Sequence, residues 1–192
     1  MPSFTKKAIV ESFLRIIGKK PLEKITVRDV VDDCGINRNT FYYYFQDIYA
    51  VLEEVSHNVA ETLPKGLSLH ETFAVFFRAM AQYTATHPRI ARGLLLSLGT
   101  DGLERYFAKD MDGVILQCLG WSESAERDGY PLHVAAFLRH AIFGFCIDLM
   151  RTDKAEQAER LIADVLRILQ DAEKAFCPPN TQNTSGDTMR CK

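Results

Sequence analysis

The chain has 192 residues, of which 47% are apolar, and a formal net charge of −2. These values fit one large domain, or a small head on a larger body, with enough apolar side chains for a sizeable core. No apolar run reaches the roughly 18 residues of a membrane span, and residues 1–7 lack the apolar segment of a secretory signal. We therefore expect a cytoplasmic protein with no membrane partner.

The charges are distributed unevenly along the chain. Residues 1–47 carry eight basic and six acidic side chains, whereas the remaining 145 residues carry 15 basic and 19 acidic ones. The N-terminal segment thus has a small positive net charge and the rest a negative one, as expected if the first faces phosphate and the second faces solvent.

The five cysteines, Cys34, Cys118, Cys146, Cys177 and Cys191, are widely spaced and contain no CxxC pair. This odd number argues against a disulfide framework or a zinc knuckle. The first three have apolar neighbours and are expected to be buried. The last two flank a polar tail and are expected to be exposed, which leaves a redox-sensing role open.

The N-terminal 63 residues predict four helices. The first covers residues 5–18, with apolar side chains three or four apart, and stops at Gly18. Thr26 and Asp29 form a capping-box pattern that opens a short helix ending near Cys34. Asn37 is a suitable N-cap for a second short helix over residues 38–45, and Asp47 caps a helix that runs to about residue 63.

The remaining segments are also predicted to be helical, and no period-two strand pattern appears. Further helices are predicted near residues 69–86, after Pro88, and near 103–119, 132–150 and 154–176, with a break over 99–102 and a polar connector over 120–130. From Pro178 the chain is rich in polar residues, Pro and Gly, and is expected to be disordered. The prediction is an all-α fold with about nine helices.

Residues 26–52 are the most informative stretch. Two short helices joined by a Gly-containing turn, after a longer amphipathic helix, form a helix-turn-helix arrangement, in which the second helix enters the major groove of DNA. Phe41 and Phe45 share the buried side of that helix. Tyr42, Tyr43 and Tyr44 are consecutive, so at least one must point outward, where a phenol can contact phosphate or a thymine methyl. The alternative is that these tyrosines only line the rim of the core.

Residues 35–47, GINRNTFYYYFQD, resemble the recognition-helix signature of TetR-family regulators, and the resemblance covers residues 4–52. It implies that Thr26, Arg28 and Arg38 hold phosphates or bases, and that Tyr42 and Tyr44 touch the DNA backbone. It further implies that Asn39, Thr40 and Tyr43 face base edges. The full predicted DNA-binding set is Thr26, Arg28, Asn37, Arg38, Asn39, Thr40, Tyr42, Tyr43 and Tyr44.

Two positions depart from the family pattern. Tyr44 stands where the family usually has His, and Ile48 where it usually has a phosphate-binding Lys. Losing one phosphate contact lowers the salt dependence of binding by about one unit of slope. Either affinity is reduced, or Gln46 and the N-terminal Lys6 and Lys7 compensate.

The predicted organisation is a DNA-binding domain over residues 1–47, a helical effector-binding and dimerisation domain over 48–176, and a tail over 177–192. Two recognition helices about 34 Å apart are needed to read a palindromic operator on double-stranded DNA. The last two helices are apolar around most of their circumference, and the resemblance implies that they pair with a second copy as a four-helix bundle. The alternative is that they cover a thick monomer core.

A small apolar or amphipathic effector is a further expected partner. Its candidate pocket comprises Phe73, Phe76, Phe77, Met80, Tyr83, Tyr106, Phe107, Phe137, His140 and Phe143, although the same side chains would also fill a core. His133 and His140 have no carboxylate cluster nearby, so no metal site and no cofactor are expected.

The sequence contains no GxSxG, phosphate loop or HExxH motif, and no catalytic residue is predicted. The body spacing resembles the dihydroxyacetone-kinase-regulator-like branch of the family. That resemblance implies a second possibility, control by a protein co-regulator instead of a small molecule.

Overall fold

The computed structural model describes residues 4–121, 130–152 and 155–176. Within these ranges the structure contains helices and no strands, which confirms the all-α prediction. A single 3-10 turn covers Leu22–Lys24. The α-helices are α1 (Phe4–Ile17), α2 (Val27–Cys34), α3 (Arg38–Tyr44), α4 (Ile48–Thr62), α5 (Leu69–Thr86), α6 (Pro88–Cys118), α7 (Tyr130–Arg151) and α8 (Ala155–Phe176).

Side-chain caps begin three of the N-terminal helices, as the sequence predicts. Thr26 and Asp29 form a complete capping box, in which the Thr26 amide donates to Asp29 Oδ2 at 2.7 Å and the Asp29 amide donates to Thr26 Oγ1 at 3.3 Å. Asn37 Oδ1 accepts from the Thr40 amide at 2.9 Å, and Asp47 Oδ1 accepts from the Ala50 amide at 2.8 Å. These bonds satisfy amides that have no partner inside their own helix.

Gly35 ends α2 in the left-handed conformation, with φ 69°. A side chain there would be strained, because residues with a Cβ rarely adopt a positive φ. The turn to α3 therefore depends on this glycine.

The predicted break over residues 99–102 is shorter than expected. The structure has two helical stretches that meet at a kink within α6, where Gly99 alone departs from helical geometry (φ 62°, ψ −171°). Two helices are therefore present as predicted, and only the extent of the break was wrong, because a single glycine accommodates the kink.

The described chain packs as two compact units. The head unit comprises the residues up to Val59 together with Tyr83–Phe107, and the body unit comprises Ala60–Gln82 and the described residues from Ala108 onward. The head unit is thus larger than the predicted DNA-binding segment of residues 1–47.

The head unit has its own apolar core, to which α1, α2, α3, α4 and the first part of α6 contribute. Its fully buried side chains include Ile9, Phe13, Ile17, Val30, Phe41, Val51 and Leu52. Part of α6 belongs to this unit and approaches α1 closely, since a Cβ built at Gly93 would lie 2.0 Å from the carbonyl oxygen of Ile17. The Leu22 amide also donates to Ser97 Oγ at 3.0 Å. The first part of α6 is therefore a structural element of the head.

The body unit is built around buried aromatic side chains of α5 and α7. Phe73 and Phe77 are fully buried, and the ring centroids of Phe77 and Phe145 are 4.7 Å apart. Polar contacts join other helices at the edge of this core: Arg139 Nε donates to Asp112 Oδ1 at 2.8 Å, and Glu173 of α8 accepts from the Leu69 amide at 3.1 Å.

Helix α7 is, among the described residues, the one helix long and apolar enough to cross a membrane by length and composition. Half of its most apolar stretch is nevertheless buried inside the protein. Its buried side chains, among them Leu138 and Ile142, pack in the body core. A buried core helix has this same composition, because it is apolar on more than one side.

The described cysteines are free thiols in apolar surroundings. Cys146 is buried, Cys34 and Cys118 are half-buried, and burial raises the pKa of all three thiols. A raised thiol pKa disfavours the reactive thiolate at neutral pH. Cys177 and Cys191, the predicted tail and most of the predicted polar connector lie outside the described residues.

Candidate nucleic-acid interface

Helix α3 separates its aromatic side chains between two sides. Phe41 and Phe45 lie in the head core with 0% and 4% of their surface exposed, whereas Tyr42 and Tyr43 are 55% and 81% exposed. The two phenylalanine rings contact each other, with centroids 5.9 Å apart. The buried pair fixes the rotation of the helix, so that the two phenols stand on the surface.

The helices behind α3 are joined by polar contacts as well as by the core. Ser12 of α1 is fully buried, and its hydroxyl donates to the Val30 carbonyl oxygen of α2 at 3.2 Å. Arg15 and Asp33 form an ion pair at 2.6 Å between the same two helices. These contacts hold α1 against α2, the helix that precedes α3.

Arg38 and Asn39 begin α3 and are both exposed. Among the described residues the Arg38 guanidinium has no ion-pair partner, so its donors remain open to a ligand. Arginine and asparagine carry the donor and acceptor groups that make paired hydrogen bonds to guanine and adenine edges in the major groove. Together with Tyr42 and Tyr43 they form an exposed surface, which we call the recognition face.

Three residues of the predicted DNA-binding set are engaged in capping. Thr26 Oγ1 donates to Asp29 Oδ2 at 2.6 Å, and Thr40 Oγ1 donates to Asn37 Oδ1 at 3.1 Å. Thr26, Asn37 and Thr40 thus set the starts of α2 and α3. The side-chain amide hydrogens of Asn37 are not used by these bonds.

Tyr44 differs from the two tyrosines before it. It is half-buried against the head core, and its ring meets that of Tyr43 edge-on, with centroids 4.9 Å apart. The family resemblance implies that Tyr44 touches the DNA backbone. Only the exposed part of its ring is available for that contact.

The charges near α2 are arranged in pairs of different strength. Hydrogen bonds from Lys20 and Thr26 lower the pKa of Asp29 to about 2, so this carboxylate is ionised and held in place. Arg28 lies 3.4 Å from Asp32, but both side chains are largely exposed. Exposed ion pairs of this kind contribute little to stability, so the Arg28 guanidinium is only weakly held by Asp32.

The departure at position 48 has a structural explanation. Ile48 is 7% exposed and packs in the head core at the start of α4. Lys6, one of the residues considered as compensation, contacts Glu54 at 2.7 Å and lies over the Phe45 ring. Lys7 is exposed, and its ammonium lies 3.9 Å from the Glu11 carboxylate, a longer distance than that between Lys6 and Glu54. Lys7 is therefore held less tightly than Lys6.

Sequence reasoning did not identify two structural features of the head unit. Ser12 is a serine on the otherwise apolar face of α1, and that position was its only signal. Tyr49 is 46% exposed and stacks in parallel on Tyr106, with ring centroids 6.3 Å apart. That pairing joins residues 57 positions apart, and no local pattern predicts it.

The residues predicted to line an effector pocket do not all lie together. Phe73 and Phe77 are fully buried in the body core, where Phe76, Met80 and Phe143 pack against them. Tyr106 and Phe107 instead pack against the head core. Tyr83 also belongs to the head unit and is 40% exposed.

Phe137 and His140 are on the surface of α7. Phe137 is 65% exposed, and His140 is exposed with its Nδ1 directed at the Ala136 carbonyl oxygen of its own helix. The predicted set is therefore divided among a body core, a head core and a surface.

Comparison with known proteins agrees with this geometry. Residues 9–55 match the family model described as bacterial regulatory proteins of the tetR family. An uncharacterised HTH-type transcriptional regulator, YxbF of Bacillus subtilis (strain 168), is 24% identical over 67 residues, which cover 35% of this chain and 18% of that protein. The match thus spans less than a fifth of the length of that relative.

Solved structures resemble nearly the whole chain. The dihydroxyacetone kinase operon activator DhaS has a TM-score of 0.59 at 18% identity, over 90% of this chain and 98% of its own. A TetR transcriptional regulator from Rhodococcus sp. RHA1 has a TM-score of 0.58 at 16% identity, over 89% and 97%. At such low identity these likenesses show the shared fold.

Proposed function

We propose that this chain is a TetR-family transcriptional regulator that binds a palindromic operator as a homodimer and represses transcription until an effector releases it. The observation that carries the proposal is the division of α3 into a buried phenylalanine side and the exposed recognition face. A regulator of this kind works on the chromosome, so its place is the cytoplasm.

The recognition face has the chemistry for both kinds of DNA contact. Arg38 and Asn39 would read base edges in the major groove, and Tyr42 and Tyr43 would bind phosphate or thymine methyl groups. Arg28 would bind a phosphate from the start of α2. Thr26, Asn37 and Thr40 would act mainly by positioning the two helix starts, through the capping bonds described above.

Selection from a random duplex library, followed by fluorescence anisotropy on the selected duplex, tests the DNA-binding proposal. We expect an enriched two-fold symmetric sequence, and we expect Arg38→Ala to weaken its binding by about 1–3 kcal/mol. Arg160→Ala is the matched control, since Arg160 is an exposed arginine of α8. Absence of any sequence-specific complex at moderate salt would refute the proposal.

Two features support dimerisation, the geometry of DNA and the exposed apolar side chains of the body. Two half-sites one turn apart require two recognition helices about 34 Å apart. Helix α7 exposes Phe137, Tyr130 and Leu132, and α8 exposes 64% of Ile168. Large exposed apolar side chains on neighbouring helices are typical of protein interfaces. Sedimentation of the full chain tests this step.

Effector control would require a coupling free energy between body and DNA, typically about 1–3 kcal/mol. The test is a transcription reporter joined to the selected operator. Repression predicts lower reporter output when the protein is present, and an effector would restore it. Higher output on addition of the protein would contradict the repressor role.

Control by a protein co-regulator is the second candidate. It is favoured by the close packing of Phe73, Phe77 and Phe145, because rings in mutual contact act as core and not as a ligand cavity. A thermal-shift screen that yields no ligand, together with co-purification of a specific partner, would favour this candidate over a small effector.

A further inference from the structure

One side of α7 is exposed along the length of the helix. The side chains on it are spaced three or four residues apart and therefore point in one direction. Its central residues are His133, Phe137, His140, Ala141, Gly144 and Asp148, all of them exposed. We call this surface the α7 face.

The α7 face carries one large protruding side chain, Phe137, and one position without a side chain, Gly144. Phe137 is 65% exposed, although phenylalanine is usually buried. Gly144 has no side chain, and a Cβ built there would meet nothing within 4 Å. The two positions lie two helical turns apart, about 10 Å along the axis.

This arrangement is self-complementary under two-fold symmetry. In such an interface, residue i of one copy opposes residue j of the other, and j opposes i. When two copies of α7 run antiparallel with the symmetry axis between His140 and Ala141, Phe137 opposes Gly144 of the second copy. In the same register His133 opposes Asp148 of the second copy.

We propose that the α7 face is the centre of the dimer contact and that Phe137 packing on Gly144 of the second copy sets its register. The inference rests on the homodimer proposed above, and it specifies which face and which register that dimer uses. A dimer built this way contains each contact twice, so a small gain per contact is doubled.

The chemistry of the flanking positions fits this register. An imidazole N–H of His133 can donate to the Asp148 carboxylate whether or not the ring is charged. At the ends of the helix, Tyr130 opposes Arg151, a pair suited to a cation–π contact. Both residues are exposed. Moving the register by about one turn sets Phe137 against Ala141 or Asp148 and leaves Gly144 without a large partner.

A size swap tests the register, with the dimer dissociation constant of the full-length protein measured by sedimentation. Phe137→Ala and Gly144→Phe should each weaken the dimer at least about tenfold, the first by removing the apolar contact and the second by opposing two large rings. The double variant should recover to within about threefold of wild type. Leu96→Ala is the control, because Leu96 is an exposed apolar residue of α6 and takes no part in the proposed contact.

A charge swap tests the dimer register independently, and it uses exposed positions where a substitution should not disturb folding. His133→Asp should weaken the dimer about tenfold, since it opposes two carboxylates, and His133→Asp combined with Asp148→His should restore it. If neither double variant binds more tightly than its weaker single variant, the register is wrong even though the dimer exists. A wild-type chain that stays monomeric at tens of micromolar would instead overturn the homodimer itself.

Discussion

Tyr43 illustrates how a single residue carries functional information. Its phenol is 81% exposed, whereas the nearby rings of Phe41 and Phe45 are buried. An exposed aromatic side chain contributes little to the fold, which is consistent with the proposed contact to DNA. The phenol hydroxyl both donates and accepts hydrogen bonds, which suits a phosphate oxygen.

Tyr43→Phe should therefore weaken DNA binding without altering stability. We expect a loss of about 1 kcal/mol in operator affinity, the net contribution of one hydrogen bond, and an unchanged melting temperature. Anisotropy and thermal denaturation measure the two quantities. Tyr130→Phe is the control at an exposed tyrosine of the body, and it should change neither quantity because it keeps the ring that is proposed to contact Arg151. A destabilised Tyr43→Phe variant would contradict the assignment of Tyr43 to the surface.

Asp29 provides a pH-dependent contribution to head stability. Its pKa falls from 3.8 to about 2 on folding, because Lys20 and Thr26 donate hydrogen bonds to the carboxylate. The unfolded state therefore binds more protons between these values, and the unfolding free energy rises with pH across that interval. The contribution is fully present above about pH 4 and is lost as the pH falls through about 2.

Denaturant unfolding between pH 2 and pH 6 tests this account. Asp29→Asn should lower the unfolding free energy at pH 6 by roughly 1 kcal/mol, after allowance for solvent screening of a side chain that is one-third exposed. The variant should also lose the corresponding pH dependence at acid pH. Parallel pH profiles for wild type and variant would show that Asp29 is not the group responsible.

At the scale of the helix, Gly93 is the position where packing leaves no room. A Cβ there would lie 2.0 Å from the carbonyl oxygen and 2.8 Å from the carbonyl carbon of Ile17, and both are backbone atoms that cannot rotate away. Gly113 lies in the same helix, and a Cβ built there meets nothing within 4 Å. The two glycines thus form a matched pair for substitution.

Gly93→Ala should destabilise the protein by about 1–3 kcal/mol, because α6 must move away from α1. Gly113→Ala should be neutral or stabilising by up to about 1 kcal/mol, since alanine is the better helix former. Chemical denaturation of both variants gives the comparison. Equal effects of the two substitutions would show that α6 does not pack on α1 as described.

The local features of the fold were predictable from the sequence, and the distant ones were not. The caps at Thr26, Asn37 and Asp47 depend on residues three positions apart, so the sequence contains all that is needed to place them. The contacts of Gly93 with Ile17 and of Ser97 with the Leu22 amide join segments more than 70 residues apart. No local pattern encodes such contacts, and the part of α6 in the head unit was missed for this reason.

The candidate site was predicted only where it depends on residues close together in the sequence. The order of the residues in α3 requires that Phe41 and Phe45 face one side and that a tyrosine faces another. Burial of Tyr44 and Ile48 depends on neighbouring helices and was not evident. On the body, helical spacing identified Phe77 and Phe137 equally well, and only the packing of the other helices distinguishes the buried ring from the exposed one.

At the scale of the whole molecule, the regulator is expected to act through two equivalent heads. Each phosphate contact in one head is then repeated in the other, and the salt dependence of binding reports both. Arg28→Ala should therefore lower the slope of log affinity against log salt by about two for a dimer bound to a full operator. Arg160→Ala should leave the slope unchanged. A slope change near one would indicate that a single head contacts the DNA.

The most direct test of the central claim is to repeat the duplex selection with Asn39→Ala. If the recognition face lies in the major groove, the variant should lose its base preference at one position in each half-site, placed symmetrically about the operator centre, while the other positions keep theirs. Unchanged base preferences at every position would contradict the account, because they would show that the exposed side of α3 does not read DNA.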